Sequence, residues 1–406
     1  MAKKKIETTS EESGVVDTKL KSKAEIQDSL SFSIADSLNK LFSKDYEKVA
    51  YYLDGSEEVP SDLNDWVSVG SDIADIAISN RPNGGLPSGR IVEIAGWESG
   101  GKSLLCAHIM ADTQRKGGLP VYIETENSVD KTFFTSIGID LNPKKFLYVP
   151  LSLTEEIFGA IENIVTKARE SKNKRLLTIV VDSISAASTE VEMESGFGKD
   201  GFATAKALIM SKGMRKIKQL IAKENILLIF TSQLRDKVGV TFGEKSVSSS
   251  GGHALKFYSS IRLKVAAIGQ LKVGEDNVGV ATEVTVVKNK IGPPKRKVKF
   301  DIYYNSGIDN LGSWLNVMKE RKIANTSGAN YTWVDKETAE ELTFTKKTFK
   351  SLLKERPEIK KSIYKDICDS MIMEYKRNDS AEADDIQEPL YDSDTVSIDT
   401  DTKDDE

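Results

Sequence analysis

The chain of 406 residues carries 57 Lys and Arg against 62 Asp and Glu, a net charge of −5, with two Cys and two His. No apolar run reaches about 18 residues and no apolar segment follows the basic N-terminus, so we predict neither a membrane span nor a secretory signal. Cys106 and Cys368 are far apart, and His108 and His253 lack metal-ligand spacing. This favours a reduced, cytoplasmic protein without a structural zinc, in the host cytoplasm if the gene is viral.

The charge is unevenly distributed along the chain. Residues 378–406 hold twelve Asp and Glu and one Lys, a net charge of −11, so residues 1–377 carry a net charge of +6. A basic body with an acidic tail suggests a polyanionic partner and a tail that competes with it. A solvated tail that serves solubility is an equally good interpretation.

The first two segments of the chain are poor in core-forming residues. Residues 1–24 are rich in Lys, Glu, Ser and Thr, which predicts disorder. Residues 25–65 follow as a helix and a short strand, Val49–Leu53. The helix has an apolar face made by Ile34, Leu38, Leu41 and Phe42. Such a segment is too small to bury itself, so we expect it to dock on the main body or on another subunit.

Residues 66–307 have the pattern of a doubly wound α/β domain. After a short helix, Ser71–Ile78, apolar runs alternate with helical patterns such as Glu155–Ala168 and Ala205–Ala222. The runs are apolar throughout, as in a parallel sheet buried on both faces: Ile91–Ala95, Leu119–Ile123, Phe146–Val149, Leu176–Val181 and Ile226–Phe230. Three later strands follow one another without helices and predict a β-meander: Ile261–Val265, Glu283–Val287 and Val298–Tyr304.

The composition changes again beyond Gly307. Residues 308–377 are rich in Lys and Glu, with helical segments around scattered aromatic residues. We predict a small, separate α+β domain there, and an acidic, disordered tail over residues 378–406.

One short stretch has the pattern of a phosphate-binding P-loop. The match to G-x-x-x-x-G-K-[ST] runs from Gly96 to Ser103, between an apolar strand and a helix that begins near Leu104. The loop supplies a nest of backbone N–H groups at a helix N-terminus. Lys102 then reaches the β- and γ-phosphates, and Ser103 ligates Mg²⁺. The predicted nucleotide-binding loop consists of Gly96, Trp97, Glu98, Ser99, Gly100, Gly101, Lys102, Ser103 and Leu104.

Carboxylates follow two neighbouring strands of the predicted sheet. Asp182 ends an apolar run about 80 residues after the P-loop, where a carboxylate can hold the Mg²⁺ shell. Glu124 and Glu126 end the preceding strand, and hydrolysis needs a group that orients the attacking water. The local sequence leaves open which of the two faces the site.

Three further motifs, in order, resemble the RecA family of homologous recombinases. They are Thr231–Gly243, Gly251–Tyr258 and Val286–Ile291, and the likeness covers about residues 66 to 310. It is closest to bacterial members, and the gene could equally be carried by a phage. The resemblance implies a RecA-type P-loop ATPase core, with the N-terminal helix and strand serving polymerisation.

The resemblance also assigns the ATP site. Glu126 corresponds to the catalytic glutamate, and Asp130 and Phe133 to positions that contact adenine, with Tyr304 a candidate for its other face. Gln233 resembles the sensor that links the γ-phosphate to the DNA-binding loop. Lys288 and Lys290 correspond to lysines that reach the ATP of the adjacent subunit, so hydrolysis depends on assembly, as with arginine fingers.

The DNA side follows from the loop that begins after Gln233, which is rich in Gly and Ser and offers cations and backbone N–H groups to phosphates. Val238 is placed to wedge between bases. The resemblance implies that the first strand's backbone is lined by Ser211, Arg215, Arg235, Lys237, Gly251, Gly252 and His253. Phosphate contacts carry no sequence information, so we expect binding that is independent of sequence and sensitive to salt.

Two regions depart from the family. The loop Glu192–Phe202 does not match closely, and a family arginine aligns with Leu208. The basic positions of the family's second DNA site align with four residues that are not basic, Ala266, Ala267, Glu283 and Thr285. Lys264, Lys272 or the run Lys295–Lys299 are the candidate replacements, and a plain solvated strand end is an equal alternative for that run.

The resemblance therefore implies a recombinase that polymerises on single-stranded DNA with ATP and Mg²⁺ and pairs it with a homologous duplex, in recombination, repair and the response to DNA damage. Single-strand-binding and loader proteins are candidate partners. Two alternatives stay open at this stage. One is a hexameric helicase or translocase with the same core, and the other is a regulatory DNA-binding filament that lacks strand exchange.

Overall fold

The computed structural model describes residues 30–44, 48–59, 62–63, 65–171, 173–195, 202–222, 224–236, 246–248 and 253–375. The chain divides into two compact units, Met1–Asp62 and Leu63–Glu406. The expectations for residues 1–24 and 378–406 lie outside the described residues.

The N-terminal unit contains the predicted helix. Helix α1 spans Leu30–Leu41, and none of its residues is buried. The segment Val49–Leu53, predicted as a strand, joins no β-ladder among the described residues. Instead the Asn39 amide oxygen accepts hydrogen bonds from the backbone N–H groups of Val49 and Ala50, at 2.8 and 2.9 Å.

Among the described residues, the main unit is built on a sheet of ten strands. A separate two-stranded ladder of β1 (Trp66–Val67) and β2 (Leu86–Pro87) precedes it. Six strands of the main sheet run parallel: β3 (Ile91–Gly96), β4 (Leu119–Glu124), β5 (Leu147–Pro150), β6 (Leu177–Asp182), β7 (Ile226–Asp236) and β9 (Ile261–Val273). Their spatial order is β5-β4-β6-β7-β3-β9, so β5 is an edge strand. Strands β3 and β6 are buried along their whole length, as the continuous apolar runs predict.

The predicted meander extends the sheet beyond β9. Strands β10 (Asp276–Asn289), β11 (Lys297–Tyr303) and β12 (Gly307–Ile308) pair antiparallel in that order. Strand β8 (Ser246–Ser248) pairs with β7. The β9–β10 ladder is longer than the apolar pattern predicts, because its distal half continues with exposed residues that backbone pairing alone holds together.

Helices cover both faces of the sheet. They are α2 (Asp72–Ser79), α3 (Lys102–Arg115), α4 (Lys131–Ile137), α5 (Thr154–Glu170), α6 (Glu190–Glu194), α7 (Phe202–Ile221) and α8 (Ala254–Tyr258). Ser71 caps α2, accepting from Ala74 N at 3.4 Å. One apolar core includes α2 and α3, and a second, on the other face, includes α5, α7 and α8. The doubly wound α/β prediction is therefore confirmed.

The C-terminal region adds a small α+β layer. It comprises α9 (Asn310–Glu320), β13 (Asn325–Ser327), β14 (Asn330–Val334), β15 (Glu341–Thr345), α10 (Lys346–Glu355) and α11 (Pro357–Met371). Trp314 and Trp333 are buried in the same apolar core as α2 and α3. The indole of Trp314 donates to Asp72 at 3.0 Å. This region packs on the core within one compact unit, and its boundary at residue 308 stays a prediction.

Candidate nucleotide site and nucleic-acid interface

The P-loop backbone requires glycine at two positions. Gly101, the N-cap of α3, has φ 93°, a conformation that residues with a Cβ rarely adopt. A Cβ at Gly96 would lie 2.5 Å from the Val265 carbonyl oxygen of the neighbouring strand β9. The loop therefore runs against the sheet, and its N–H groups lie at the N-terminus of a 14-residue helix.

Lys102 is held at the mouth of this loop. Its ammonium donates to the Trp97 carbonyl oxygen at 2.7 Å, and the residue is 8% exposed. Burial lowers the pKa of Lys102, while the carboxylates of Asp182 and Glu126 act in the opposite direction. A phosphate group would add a counter-charge beside this desolvated ammonium.

Asp182 is fixed by two neighbouring strands. Its carboxylate accepts from the Tyr122 hydroxyl at 2.9 Å and from the Thr231 hydroxyl at 2.6 Å. The hydroxyls come from β4 and β7, on either side of the strand that Asp182 ends. Neither was singled out from the sequence, although Thr231 is the first polar residue after the apolar run of β7.

Glu124 and Glu126 have different surroundings. Glu124 is 2% exposed, and its carboxylate accepts from the backbone N–H groups of Glu126 and Ser128, each at 3.0 Å. Glu126 lies in the following turn, where its carboxylate accepts from the Ser183 hydroxyl at 3.1 Å. Glu124 is thus occupied in shaping the turn that carries Glu126.

The predicted residues converge on one cavity of about 230 Å³ at the carboxyl edge of the parallel strands. Ten of the candidates line it, including both glutamates: Glu98, Ser99, Lys102, Ser103, Glu124, Glu126, Asp130, Phe133, Asp182 and Gln233. Asp130 also caps α4, accepting from Thr132 N at 2.7 Å. Tyr304 does not line the cavity and is 54% exposed, just beyond the end of β11.

The donor set suits a Mg²⁺ ion carried by a nucleotide. Ser103, which directly follows Lys102, and Asp182 both line the cavity. Mg²⁺ usually takes one or two protein oxygens and completes its shell with phosphate oxygens and water. Within the described ranges, no three His, Cys, Asp or Glu side chains cluster so as to hold a metal alone.

Lys288 and Lys290 lie away from this cavity, near the start of β9. The ammonium of Lys288 donates to the carbonyl oxygens of Lys256 and Phe257 at the C-terminal end of α8, at 2.7 and 3.1 Å. Lys290 is exposed. The chain's own ATP site therefore does not include them.

The predicted DNA contacts are only partly described. The exposed Arg215 donates to the Tyr258 hydroxyl at 3.4 Å, and Arg235 is exposed near the end of β7. His253 is exposed at the start of α8, with its ring 6.4 Å from that of Phe257, and Ser211 is half-buried on α7. Lys237, Val238, Gly251 and Gly252 lie outside the described residues, as does part of the loop Glu192–Phe202. Leu208 is 67% exposed.

The run Lys295–Lys299 divides into two kinds of residue. The guanidinium of Arg296 donates to Ile76 O at 3.3 Å, to the Asn80 amide oxygen at 3.2 Å and to Met371 O. Arg296 thereby joins α2 and α11, and its expected role in a second DNA site stays a prediction. Lys297 and Lys299 are exposed on alternate positions of β11 and face outward.

Those two lysines share a face with three of the four non-basic positions, Ala266, Glu283 and Thr285, whereas Ala267 is opposite Thr282. Thr285 on β10 pairs with Lys297 on one neighbouring strand, β11, and with Lys264 on the other, β9. Lys299 is opposite Glu283, with 4.0 Å between the ammonium and the carboxylate. We call Lys264, Lys297 and Lys299 the outer lysine face.

Comparison with known proteins agrees with this geometry. Residues 33–309 match the RecA N-terminal domain family. The chain belongs to the RecA family. The Protein RecA of Rubrobacter xylanophilus is 37% identical over 305 residues, 75% of this chain and 84% of the relative. The Protein RecA of Chloroherpeton thalassium is 35% identical over 372 residues, 92% of this chain and 96% of the relative. That of Geobacter metallireducens is 34% identical over 316 residues, 78% of this chain and 88% of the relative.

Membership of the RecA family confirms the predicted fold, class and activity. The chain is an ATP-dependent homologous recombinase of DNA recombination and repair, and a DNA-dependent ATPase. It binds nucleotide and DNA and forms filaments. Among the described residues, no helix is both long and apolar enough to cross a membrane.

Proposed function

We propose that the cavity beside the P-loop binds ATP with Mg²⁺ and that hydrolysis takes place there. The observation that carries this proposal is the convergence of Lys102, Glu126 and Asp182 on one cavity at the carboxyl edge of parallel strands. The loop Gly96–Leu104 binds the phosphates through backbone N–H groups, and Lys102 neutralises their charge. Ser103 and Asp182 hold Mg²⁺, which draws charge from the phosphates when bound.

Glu126 is the proposed general base, and Gln233 the sensor of the γ-phosphate. The Ser183 hydroxyl orients the Glu126 carboxylate, which accepts a proton from the attacking water. Gln233 on β7 pairs with Gly96, the last residue of β3, in the parallel ladder between these strands. It therefore lies beside the start of the P-loop. On the adenine side, Asp130 and Phe133 line the cavity, and Tyr304 follows a strand whose Ile302 side chain reaches the position next to Gly101.

We propose that the filament forms when the N-terminal unit of one subunit docks on the core of the next. The apolar residues of α1 are largely exposed, with Leu30 at 77%, Ile34 at 50% and Leu41 at 71%. The acceptor is the edge strand β5, where Leu147 and Tyr148 are exposed. An open sheet edge and a segment that joins no β-ladder of its own, such as Val49–Leu53, complement one another once the segment pairs with the edge.

Assembly then completes the ATP site. Lys288 and Lys290 belong to a face remote from their own cavity, so we propose that they act on the nucleotide of a neighbouring subunit. The first DNA strand binds along Ser211, Arg215, Arg235, Lys237, Val238, Gly251, Gly252 and His253. The outer lysine face is the proposed site for the homologous duplex, by contacts to its phosphates. Single-strand-binding and loader proteins are the further proposed partners.

The experiment that tests this proposal is electron microscopy on long single-stranded DNA with Mg²⁺ and a slowly hydrolysed ATP analogue. We expect continuous helical filaments from the unaltered chain and loss of filaments from Leu38→Asp on the apolar face of α1. Lys40→Asp, two residues away and with its side chain 76% exposed, is the matched control and should keep them. Closed rings would contradict the proposed assembly.

A further inference from the structure

A buried ion pair lies inside the main sheet. Glu93 of β3 is 1% exposed, and it is opposite Arg262 of β9 in the parallel ladder. The Arg262 guanidinium Nε donates to one carboxylate oxygen of Glu93. The other carboxylate oxygen accepts from the hydroxyl of Ser232 on β7, at 2.7 Å. One carboxylate thus joins three adjacent strands.

Stability alone does not explain this pair. Desolvating two charges offsets much of their attraction, and replacing such a pair with apolar residues is often neutral or stabilising. The neighbouring residues of β3, Val92 and Ile94, are buried and apolar, as is usual for a central parallel strand. The contacts at each end of the pair indicate what it does.

At one end lies a group of cations. Lys288 of β10 is opposite Arg262 in the β9–β10 ladder. Burial lowers the pKa of Lys288, the charges of Lys290, Arg262 and Lys218 lower it further, and Glu93 raises it. Among the described residues acting on Lys288 in this way, Glu93 is the one carboxylate. It therefore offsets the repulsion that would otherwise drive these cations apart.

At the other end lies the nucleotide cavity. Ser232 is fully buried and directly precedes Gln233, which lines that cavity. The backbone N–H of Gln233 donates to the Ser185 hydroxyl at 2.9 Å. The chain Gln233, Ser232, Glu93, Arg262 and Lys288 consequently crosses the sheet from the subunit's own ATP site to the cations offered to its neighbour.

We infer that Glu93 and Arg262 are positioning residues that hold Lys288 and Lys290 in the arrangement needed at the ATP site of the adjacent subunit. The inference rests on the proposed action of these lysines across the subunit interface. Without the Glu93 charge, the lysines stay in the chain but are displaced by mutual repulsion. The subunit then loses its effect on its neighbour's ATP and keeps its own site intact.

The test is a mixing experiment with two inactive variants of the full chain. Glu93→Gln keeps the shape and an acceptor oxygen and removes the charge. We expect it to bind a fluorescent ATP analogue within about 2-fold of the unaltered chain, and to lose at least about 10-fold in DNA-stimulated hydrolysis. Glu126→Gln is the second variant, because it lacks the proposed base and keeps the lysines.

Mixed filaments of the two variants should regain activity. In a head-to-tail assembly, random mixing in equal amounts pairs an intact base with intact lysines at about one quarter of the interfaces. We therefore expect about one quarter of the unaltered rate. Lys288→Ala mixed with Glu126→Gln should behave in the same way. Arg262→Lys, which keeps the charge, should retain more activity alone than Arg262→Gln.

The outcomes separate this inference from the function on which it rests. Full activity of Glu93→Gln alone, or inactivity that mixing does not relieve, would overturn the positioning role. Full activity of Lys288→Ala alone would overturn the proposed action across the interface as well. Asp366→Asn is the control for general destabilisation, since it alters a buried carboxylate that accepts from the Trp333 indole at 2.9 Å; it should leave hydrolysis unchanged.

Discussion

Two regions of the same sheet, the carboxyl edge of its parallel strands and the outer face of its meander, differ in how closely they follow the family pattern. At the carboxyl edge of the parallel strands, Lys102, Glu126 and Asp182 match the pattern and line one cavity. On the outer face of the meander, Ala266, Glu283 and Thr285 stand where the resemblance predicts basic residues, and the lysines of that face lie at other positions.

The difference has a physical origin. Parallel strands all end at the same edge, so residues that follow different strands are forced together, and each has several partners. Asp182 alone is held from two strands. On the exposed face of an antiparallel sheet, each side chain is independent of most others, so a charge can move to the next strand without disturbing the core.

The largest effect should come from a substitution in the nucleotide cavity at the carboxyl edge of the parallel strands. Glu126→Gln removes the proposed base, and we expect DNA-stimulated ATP hydrolysis to fall by about 10²–10⁴-fold while filaments persist. Phosphate release from ATP measures this directly. Glu124→Gln is the matched control and should reduce hydrolysis far less, because Glu124 shapes the turn through backbone contacts. Equal losses would show that the two carboxylates act together.

The next effect should come from the outer lysine face. The double change Lys297→Glu and Lys299→Glu reverses two exposed charges on β11. We expect strand exchange to fall about 10-fold and single-strand-stimulated hydrolysis to change less than about 2-fold, since phosphate contacts to the duplex are lost. Strand-exchange assays at several salt concentrations measure the effect.

The control for the outer lysine face is the same charge reversal at Lys360 and Lys361, both exposed on α11. A similar loss of strand exchange in this control would indicate a general electrostatic effect. Equal loss of hydrolysis and exchange in the β11 variant would reject the second site.

A smaller effect, on stability, should come from Arg296. Arg296→Met removes the three hydrogen bonds that the guanidinium donates to Ile76, Asn80 and Met371. We expect the free energy of unfolding to fall by about 3 kcal/mol, and strand exchange by the folded variant to stay normal. Urea unfolding checks the first and an exchange assay the second. Weak exchange with normal stability would place Arg296 in the second DNA site.

The smallest effect should be a pH dependence due to His108. Its Nε2 accepts from Ile308 N at 3.2 Å, and burial, helped by Arg115, lowers the pKa of His108 to about 4. The unfolded chain takes up this proton near pH 6.5, before the folded one does, so the contribution to stability is full above pH 6.5 and is lost towards pH 4. By pH 5.5 we expect a loss of about 1 kcal/mol.

Urea unfolding of the unaltered chain and of His108→Gln at pH 8 and pH 5.5 isolates this contribution. The variant should lose less stability than the unaltered chain over that interval. Parallel losses in the two proteins would mean that carboxylates cause the whole pH dependence.

Much of the fold could be predicted from local patterns. The apolar runs predicted β3, β4 and β6 to within one residue at each end, because strands buried on both faces must be apolar throughout. They predicted the start of β7, which continues six residues beyond its apolar run to Asp236. The distal half of the β9–β10 hairpin was not predicted, because strands exposed on both faces lack a pattern of apolar residues. The segment Val49–Leu53 has strand-like residues, and it needs a pairing partner to form a strand.

The site residues were predictable where a sequence motif has a known chemical reason for its spacing. The P-loop and Asp182 follow from spacing and from their place after apolar strands. The choice between Glu124 and Glu126 needed information beyond the local sequence, because two residues at the same strand end have the same local pattern. Tyr122, Ser183 and Thr231, which orient the carboxylates, carry no sequence signal beyond being polar next to a buried strand.

The sequence by itself determined the fold class, the phosphate-binding loop and the RecA resemblance, because these depend on periodicity and on residues close together in the chain. The tertiary structure alone decided that Arg296 joins two helices, that Lys288 caps α8 and that Glu93 meets Arg262 and Ser232. Glu93 and Arg262 are 169 residues apart, and only strand order and register bring them together. Side-chain partners across a sheet are set by that register, which no local pattern contains.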